Sequence, residues 1–268
     1  MLMSVNDTNA FKRALRDHRP QIGLWSSLCS HLVAEVIAGA GFDWIVIDSE
    51  HGPNELGGIV HQLQAMAPYP VEPVVRIPIG DPVAIKRYLD AGARSLLVPM
   101  VQNAKEAAAM VAATRYPPEG IRGVASTHRG NRFGRVKDYF KRAADEICVL
   151  VQVETAEAMK HIEAIAAVPG IDGIFIGPSD LSADLGHLGH PELPAAQEAI
   201  ADGVARGTKA GKAMGILTPK QPDAQRYLEL GFTFVAVGSD VGLLARESEA
   251  LAAAFQSWKK DTLPARAR

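Results

Sequence analysis

Short apolar runs alternate with stretches of helical composition along almost the whole chain. Eight runs rich in Val, Ile, Leu and Phe have the length and composition of parallel strands that are buried on both faces. They cover residues 21–27, 44–50, 72–78, 95–100, 148–154, 173–177, 212–218 and 232–238. Helix-like stretches lie at residues 31–40, 55–67, 82–91, 105–114, 156–168, 195–210, 221–230 and 242–258. The alternation predicts eight strand–helix units.

The junctions between these units repeat one pattern, in which a helix ends at Gly and the next strand runs to an acid or a Pro. A-G-F-D-W-I-V-I-D from Ala40 and L-G-F-T-F-V-A-V-G-S-D from Leu230 are examples. Gly as a helix C-cap before a buried strand is typical of αβ loops. Eight units in 268 residues predict an α/β protein with one (β/α)8 TIM barrel over residues 1–268 and an extra N-terminal helix at residues 7–18. A doubly wound open sheet is the alternative, although no G-x-G-x-x-G follows the first strand.

Two carboxylates end consecutive predicted strands. V-L-V-Q-V-E-T ends its strand at Glu154, and G-I-F-I-G-P-S-D-L-S brings Asp180 to the end of the next. A right-handed strand–helix–strand unit places both strand ends on one edge of the sheet, so the two acids converge. Convergent carboxylates need a shared proton or a cation. We expect a divalent metal, because neither strand end offers the apolar shelter that keeps a carboxyl neutral. Two unrelated loop acids, one of them a helix N-cap, are the alternative.

Further candidates follow from the rule that catalytic residues of such barrels lie at the carboxyl ends of strands. His51 follows an apolar strand and precedes Gly-Pro, and it is either a catalytic base or a structural histidine. Arg76 interrupts V-V-R-I-P, so it either pairs with a core acid such as Asp48 or faces the substrate, which we favour. Asp48 could orient the ring of His51. The remaining strand-end residues are Trp25, which we expect to form a wall, and Ser26, Gln152, Gly177, Pro178, Ser179, Leu217 and Thr218.

Other features restrict the chemistry. No Lys ends a predicted strand, which disfavours a Schiff-base mechanism. G-S-D at Gly238 could present backbone N–H groups to a phosphate, although its own acid weakens that interpretation. The long segment 116–144 carries Arg122, Arg129, Arg132 and Arg135. It could attract an anionic substrate, but a solvated or subunit-contacting loop is the favoured interpretation.

Composition narrows the partners and the compartment. The chain has 28 Lys and Arg against 30 Asp and Glu, a net charge of −2, which argues against nucleic acid or an anionic membrane as partner. Cys29 and Cys148 show no metal-site spacing, so a reducing compartment without a disulfide is expected. Residues 1–13 are polar and no apolar run approaches about 18 residues, so we expect a cytoplasmic protein.

The sequence resembles the HpcH/HpaI aldolases, which are metal-dependent 4-hydroxy-2-oxo-acid aldolases such as 4-hydroxy-2-oxoheptanedioate and 2-keto-3-deoxy-sugar-acid aldolases. The resemblance runs from about Gly23 to Leu244 and rests on an ordered set of motifs. They are G-L-W-S-S at Gly23, D-S-E-H-G-P at Asp48, V-V-R-I-P at Val74, L-D-A-G-A at Leu89, Y-P-P-E-G-I-R-G at Tyr116, V-Q-V-E-T at Val151 and I-G-P-S-D-L-S at Ile176.

The resemblance implies a role for each matching residue. It implies Glu154 and Asp180 as ligands of Mg2+, Mn2+ or Co2+, Gln152 and Ser179 as substrate contacts, His51 as base and Arg76 as charge stabiliser. It further implies that Asp90 raises the basicity of the catalytic histidine. An acid near a helix C-terminus is electrostatically unfavourable, which fits a role other than stability. That helix end lies at the far face of its own barrel, so Asp90 would serve a neighbouring subunit.

These expectations combine into a class II pyruvate aldolase that cleaves 4-hydroxy-2-oxo acids into pyruvate and an aldehyde. The enolate charge would be stabilised by the metal and by Arg76, a contribution of ~3 kcal/mol. A citrate-lyase or malyl-CoA-lyase type enzyme and a catalytically idle binding barrel are the alternatives. The apolar final segment 241–258 predicts a homo-oligomer. The resemblance implies that this homo-oligomer is a hexamer, built as a trimer of dimers in which subunits exchange the last helix.

Overall fold

Eight parallel strands form a closed barrel in the computed structural model, which describes residues 8–262. The strands are β1 (Gln21–Ser26), β2 (Trp44–Asp48), β3 (Glu72–Arg76), β4 (Ser95–Val98), β5 (Cys148–Val153), β6 (Gly173–Ile176), β7 (Ala213–Leu217) and β8 (Phe234–Ser239). Each strand pairs with the next in sequence, and β8 pairs with β1 across a register shift between Gly23 and Trp25. The predicted barrel is confirmed, and the open sheet is wrong.

Twelve α-helices occur in the described part of the chain. They are α1 (Ala10–Arg16), α2 (His31–Ala38), α3 (Leu56–Met66), α4 (Pro82–Asp90), α5 (Ala104–Thr114), α6 (Tyr139–Glu146), α7 (Ala156–Met159), α8 (Ile162–Ala166), α9 (Pro178–Asp184), α10 (Pro194–Lys209), α11 (Gln221–Glu229) and α12 (Asp240–Thr262). A short 3₁₀ helix, Arg129–Asn131, lies in the segment between α5 and α6. The extra N-terminal helix is confirmed as α1, although the beginning of its predicted span, at residue 7, lies outside the described residues.

The single helix expected at residues 156–168 is wrong, because α7 and α8 divide it. Lys160 N–H donates to the carbonyl of Glu157, and His161 N–H donates to that of Ala158. These bonds span three residues instead of four, so the backbone tightens and the α-helix is interrupted.

The apolar side chains of the strands form two layers, because successive residues of a strand point to opposite faces. Trp44 and Val46 of β2 point into the barrel, while Ile45 and Ile47 pack against the helices. The alternation continues to the strand end, so Asp48 has the inward parity of Trp44 and Val46. Because Asp48 pairs in register with Arg76 of β3, both side chains meet in the barrel mouth.

Helix α1 closes the opposite end of the barrel. Phe11 packs with its ring centroid 5.6 Å from that of Trp44 and 6.1 Å from that of Phe234, which stand at the beginnings of their strands. Asn9 caps the helix and donates through Nδ2 to Ser95 Oγ at 2.8 Å. The amino ends of the strands are therefore covered, and the carboxyl ends remain open for a site.

Two further observations concern the cysteines and the helices. Cys29 and Cys148 are both unpaired thiols. In the part of the chain that the structure describes, no helix combines the length and the apolar character that crossing a membrane requires.

Candidate active site

A cavity of about 510 Å³ opens at the carboxyl ends of the strands. It gathers the predicted residues Trp25, His51, Arg76, Gln152, Gly177, Pro178, Ser179, Asp180 and Leu217. Asp48 and Glu154 are buried and hydrogen-bonded to the lining residues Arg76 and Gln152. Two of the predicted residues lie elsewhere: Asp90, and Ser26, which is fully buried and donates to Asp240 Oδ2 at 3.1 Å.

Arg76 is held in the mouth by two acids. Its Nε and Nη2 donate to Asp48 Oδ1 and Oδ2 at 2.9 and 2.6 Å, and Nη1 lies 2.8 Å from Glu50 Oε2. The guanidinium carbon stands 4.9 Å from the ring centroid of Trp25, whose Nε1 donates to Asp48 Oδ2 at 3.1 Å. Arg76 therefore pairs with a core acid, as one alternative expected, and it also lines the cavity. That it faces the substrate stays a prediction.

Asp48 is occupied by these contacts and by the backbone. Its Oδ1 also accepts from the N–H groups of Glu50 and His51 at 3.0 and 3.2 Å. Burial raises the pKa of Asp48, but the hydrogen bond and charge of Arg76 outweigh it and lower the pKa overall. Among the hydrogen bonds of the described residues, none joins Asp48 to the imidazole of His51. In this structure Asp48 fixes the backbone of His51, and its expected role in orienting the imidazole stays a prediction.

Glu154 is 2% exposed, so the expectation that its strand end offers no shelter is wrong. The carboxylate is covered because each of its oxygens contacts a donor: Met100 N–H donates to Oε1 at 2.8 Å, and Gln152 Nε2 donates to Oε2. Burial raises the pKa of Glu154 to about 7, and the negative charges of Asp180 and Glu50 act in the same direction. A buried carboxylate beside other carboxylates has two stable states, one with a bound proton and one with a bound cation.

The space beside Glu154 depends on Gly177, which directly precedes α9. A Cβ atom at Gly177 would lie 2.3 Å from Glu154 Oε2 and 3.0 Å from Gln152 Nε2. Pro178 occupies the first position of α9, where its fixed φ favours the helix, and Asp180 falls in the first turn. The abrupt change from strand to helix thus brings the second acid to the first.

The donor set fits a hard divalent cation. Glu154 and Asp180 supply carboxylate oxygens, and the buried Gln152 Oε1 beside them finds no hydrogen-bond partner in the described part of the chain. Oxygen ligands suit Mg2+ and Mn2+. Within residues 8–262 no third His, Cys, Asp or Glu joins the pair closely enough to complete a site. Such an ion would therefore keep positions for substrate and water.

Sequence reasoning missed Glu50 and the outer part of the cavity. Glu50 stands inside D-S-E-H-G-P, two residues after Asp48, and an acid at that spacing from an inward-facing residue was an available signal. The outer lining comes from the segment before α10, from α10, from the segment before α11 and from α11. It comprises Gly189, Pro191, Glu192, Gln197, Pro219, Lys220, Asp223 and Tyr227. Most of these residues lie several positions after the ends of β6 and β7 along the chain, so the rule that catalytic residues lie at strand ends does not find them.

Asp90 is the last residue of α4, at the face of the barrel opposite the cavity. Its Oδ1 accepts from Arg122 Nη2 at 2.6 Å. Within one chain, Asp90 therefore contacts Arg122 and not His51. Its role on a neighbouring subunit stays a prediction.

Two anion sites that the sequence left open as possibilities are not formed among the described residues. At the start of α12, the N–H groups of Val241 and Gly242 donate to Asp240 Oδ1 and Ser239 Oγ at 2.7 and 3.1 Å, so donors that a phosphate would need are already used. The phosphate interpretation is therefore wrong. The loop arginines lie outside the lining of the mouth cavity, and Arg122 is only 1% exposed. They do not serve the site of their own chain.

Known proteins are similar to this chain over most of its length. The model of the family described as HpcH/HpaI aldolase/citrate lyase matches residues 21–246. A protein of Klebsiella pneumoniae named 4-hydroxy-2-oxo-heptane-1,7-dioate aldolase is 59% identical over 248 residues, which are 92% of this chain and 94% of that protein. A Salmonella arizonae protein of the same name is 58% identical over 94% of this chain and 96% of its own length. A crystal structure of a family protein from Burkholderia cenocepacia superposes with a TM-score of 0.90 at 42% identity, covering 93% of this chain and 100% of that one.

Proposed function

The chain belongs to the HpcH/HpaI aldolase/citrate lyase family and is a carbon–carbon lyase, and we propose that it cleaves 4-hydroxy-2-oxo acids into pyruvate and an aldehyde. The observation that carries the proposal is the pair Glu154 and Asp180 beside Arg76 under one cavity. The names of the Klebsiella and Salmonella relatives make 4-hydroxy-2-oxo-heptane-1,7-dioate the first substrate to test.

Glu154 and Asp180 would hold Mg2+, Mn2+ or Co2+, with the free Oε1 of Gln152 beside them. The chemistry that such a cation supplies is Lewis-acid stabilisation of negative charge at the keto oxygen of the substrate. Gln152 and Ser179 are proposed to contact the 2-oxo acid. This assignment explains why a carboxyl with a pKa of about 7 stands in the mouth, since a cation replaces its proton.

Arg76 is proposed to stabilise the enolate that forms when the C3–C4 bond breaks. Its Nε and Nη2 edge is fixed by Asp48, so the guanidinium keeps one orientation while Nη1, shared with Glu50, remains beside the cavity. Donors that are oriented before the reaction stabilise developing charge most effectively.

His51 is proposed to take the proton of the 4-hydroxyl group. The electrons of that O–H bond then form the aldehyde carbonyl, those of the C3–C4 bond pass to the enolate, and protonation at C3 gives pyruvate. The apolar side chains Trp25, Phe175 and Leu217 line the same cavity and are proposed to contact the aldehyde half. Asp90 of a neighbouring subunit is proposed to support His51.

The experiment is a pyruvate-release assay coupled to lactate dehydrogenase, with purified protein and a panel of 4-hydroxy-2-oxo acids. We expect EDTA to abolish turnover and Mg2+, Mn2+ or Co2+ to restore it. Full activity in EDTA, or trapping by borohydride in the presence of pyruvate, contradicts the metal mechanism. Activity only with CoA thioesters would support the citrate-lyase or malyl-CoA-lyase alternative.

The proposal includes a homo-oligomer in the cytoplasm with no nucleic-acid or membrane partner. Support comes from the balanced charge of −2 and from the unpaired Cys29 and Cys148.

A further inference from the structure

Arg122 is almost fully buried between two exposed apolar neighbours. The residue is 1% exposed, while Ile121 and Val124 are 63% and 67% exposed. A buried guanidinium requires an anionic partner, because a buried charge that loses its hydration without being paired strongly destabilises the fold. The partner is Asp90, at 2.6 Å from Nη2 to Oδ1.

Two aromatic rings hold the guanidinium in place. Its central carbon lies 4.6 Å from the ring centroid of Tyr116 and 5.9 Å from that of Tyr139. Nη1 and Nη2 each lie 3.4 Å from Tyr139 Oη. Because Arg122 cannot rotate freely, the Asp90 carboxylate that it binds is also held in one orientation.

The surroundings leave one oxygen of Asp90 available. Oδ1 takes the hydrogen bond from Arg122 and lies 3.8 Å from His128 Nε2. Burial lowers the pKa of His128 and the charge of Arg122 lowers it further, against the opposing effect of Asp90, so this imidazole is neutral near pH 7. Within residues 8–262, Oδ2 of Asp90 accepts no hydrogen bond. Arg122 is thus the cation that faces Asp90, and the second carboxylate oxygen has no hydrogen-bond donor among the described residues.

The cluster is not built for stability alone. Among the residues that the structure describes, three of its buried nitrogen atoms have no hydrogen-bond partner, namely Arg122 Nε and both ring nitrogens of His128. Buried polar groups are normally satisfied, and exceptions concentrate at functional sites. The acid also ends a helix, where the macrodipole disfavours negative charge, and the guanidinium offsets that effect. Ile121 and Val124 border the cluster with exposed apolar surface, which fits a second copy of this chain as the partner that covers it.

We propose that Arg122 is a positioning residue, which holds Asp90 so that its free oxygen can reach His51 of a second copy of the chain. This inference rests on the proposed function, in which His51 is the base. Arg122 would then act on the active site of the neighbour and not on the site of its own chain.

The test uses Arg122→Gln and Arg122→Lys in the full-length protein, with Asp90→Asn as the reference variant. We expect Arg122→Gln to lower kcat about 10- to 100-fold with KM unchanged within about twofold, because a misplaced catalytic group affects the chemical step. Arg122→Lys should recover part of the loss, since a point charge can still pair with Asp90. In an Asp90→Asn background, Arg122→Gln should cause no further loss of kcat. Arg129→Gln is the matched control, because Arg129 lies in the same segment and donates to the carbonyl of Ala91 at 3.0 Å but not to Asp90.

Subunit mixing separates this role from a structural one. When Arg122→Gln and His51→Ala subunits are mixed after mild dissociation, some sites combine an intact His51 with an intact Arg122 and Asp90 of the neighbour. Activity should then rise above that of both parents. The inference is overturned if Arg122→Gln keeps its kcat, if its loss is equally large in the Asp90→Asn background, or if mixing restores nothing. Wild-type protein without any pyruvate release would overturn the proposed function instead.

Discussion

At the scale of single residues, two buried acids in the barrel mouth have pKa values that are shifted in opposite directions. Asp48 receives the fork of Arg76, which outweighs burial and lowers its pKa. Glu154 receives an amide and a backbone N–H but no cation from the described chain, so burial dominates and raises its pKa to about 7. One acid is therefore part of a completed ion pair, whereas the other is suited to bind a cation.

The first prediction concerns Arg76→Lys. A lysine cannot reproduce the two-point contact with Asp48, so the charge that should stabilise the enolate loses its fixed direction. We expect kcat to fall by about two orders of magnitude, measured with saturating metal. A near-normal kcat in a destabilised protein would mean that Arg76 is only structural.

The second prediction concerns the pH dependence that Asp48 contributes. Because its pKa in the folded protein lies below the ordinary value of 3.8, its ionised form adds stability above that pH and loses it as the pH falls through the folded pKa. Asp48→Asn should lower the free energy of unfolding by about 3 kcal/mol at pH 7, because Arg76 would lose one of its two carboxylate partners and retain Glu50. The difference from wild type in urea unfolding should shrink below pH 3.8.

Asp43→Asn is the control for that experiment. Asp43 is exposed and accepts from Ile22 N–H at 2.8 Å, a bond that an asparagine oxygen can keep. We expect a change within about 0.5 kcal/mol. A loss for Asp48→Asn that stays constant down to acid pH would contradict the ion-pair explanation.

Most of the site could be predicted from strand ends, because inward parity and strand register are properties of the sequence pattern. That reasoning placed His51, Arg76 and Asp180 correctly in one mouth. It could not predict the burial of Glu154, which depends on Met100 and Gly177 closing over it from neighbouring strands. Nor could it predict that Asp48 binds the backbone of His51, since that contact depends on the turn after β2.

At the scale of elements, the site depends on the absence of a loop between β6 and α9. Strands buried on both faces give near-continuous apolar runs, so all eight were predictable with ends correct to within a few residues. Short helices are harder to predict, because tertiary contacts of a single turn determine whether they form. Helix α9, which carries Asp180, was not predicted, and neither was the division between α7 and α8.

The third prediction is Gly177→Ala. The new Cβ would lie 2.3 Å from Glu154 Oε2, so the carboxylate must move away from its present position. We expect the affinity for Mn2+, measured by isothermal titration calorimetry, to fall at least about tenfold, as it does when groups that orient metal ligands are displaced.

Gly57→Ala provides the matched control, because Gly57 lies in α3 and a Cβ there would meet nothing within 4 Å. It should leave Mn2+ affinity unchanged and stabilise the protein by about 0.5–1 kcal/mol. If Gly177→Ala folds normally and binds Mn2+ as wild type does, the close contact has no role in metal binding.

At the scale of the whole molecule, α12 carries an apolar stripe that is exposed on the single chain. The helix has 23 residues, and every described side chain after Gly242 is exposed. Leu244, Leu251, Phe255 and Trp258 recur at spacings of seven, four and three, which places them on one face. A stripe of that kind is normally buried against another element, and we propose that a second copy of the chain supplies it. The exchange of this helix between subunits of a hexamer stays a prediction.

The fourth prediction is that replacing this stripe dissociates the assembly. In Leu251→Glu/Phe255→Glu, two charges would have to be buried without partners, so subunit association should weaken. Light scattering at micromolar concentration should show a lower mass than for wild type, and the melting temperature should depend more strongly on protein concentration. Ala253→Glu is the control, because Ala253 lies nine residues from Leu244 and therefore on the opposite face at 3.6 residues per turn. It should assemble as wild type does. If wild type itself has a monomeric mass with full activity, neither the stripe nor Asp90 works between subunits.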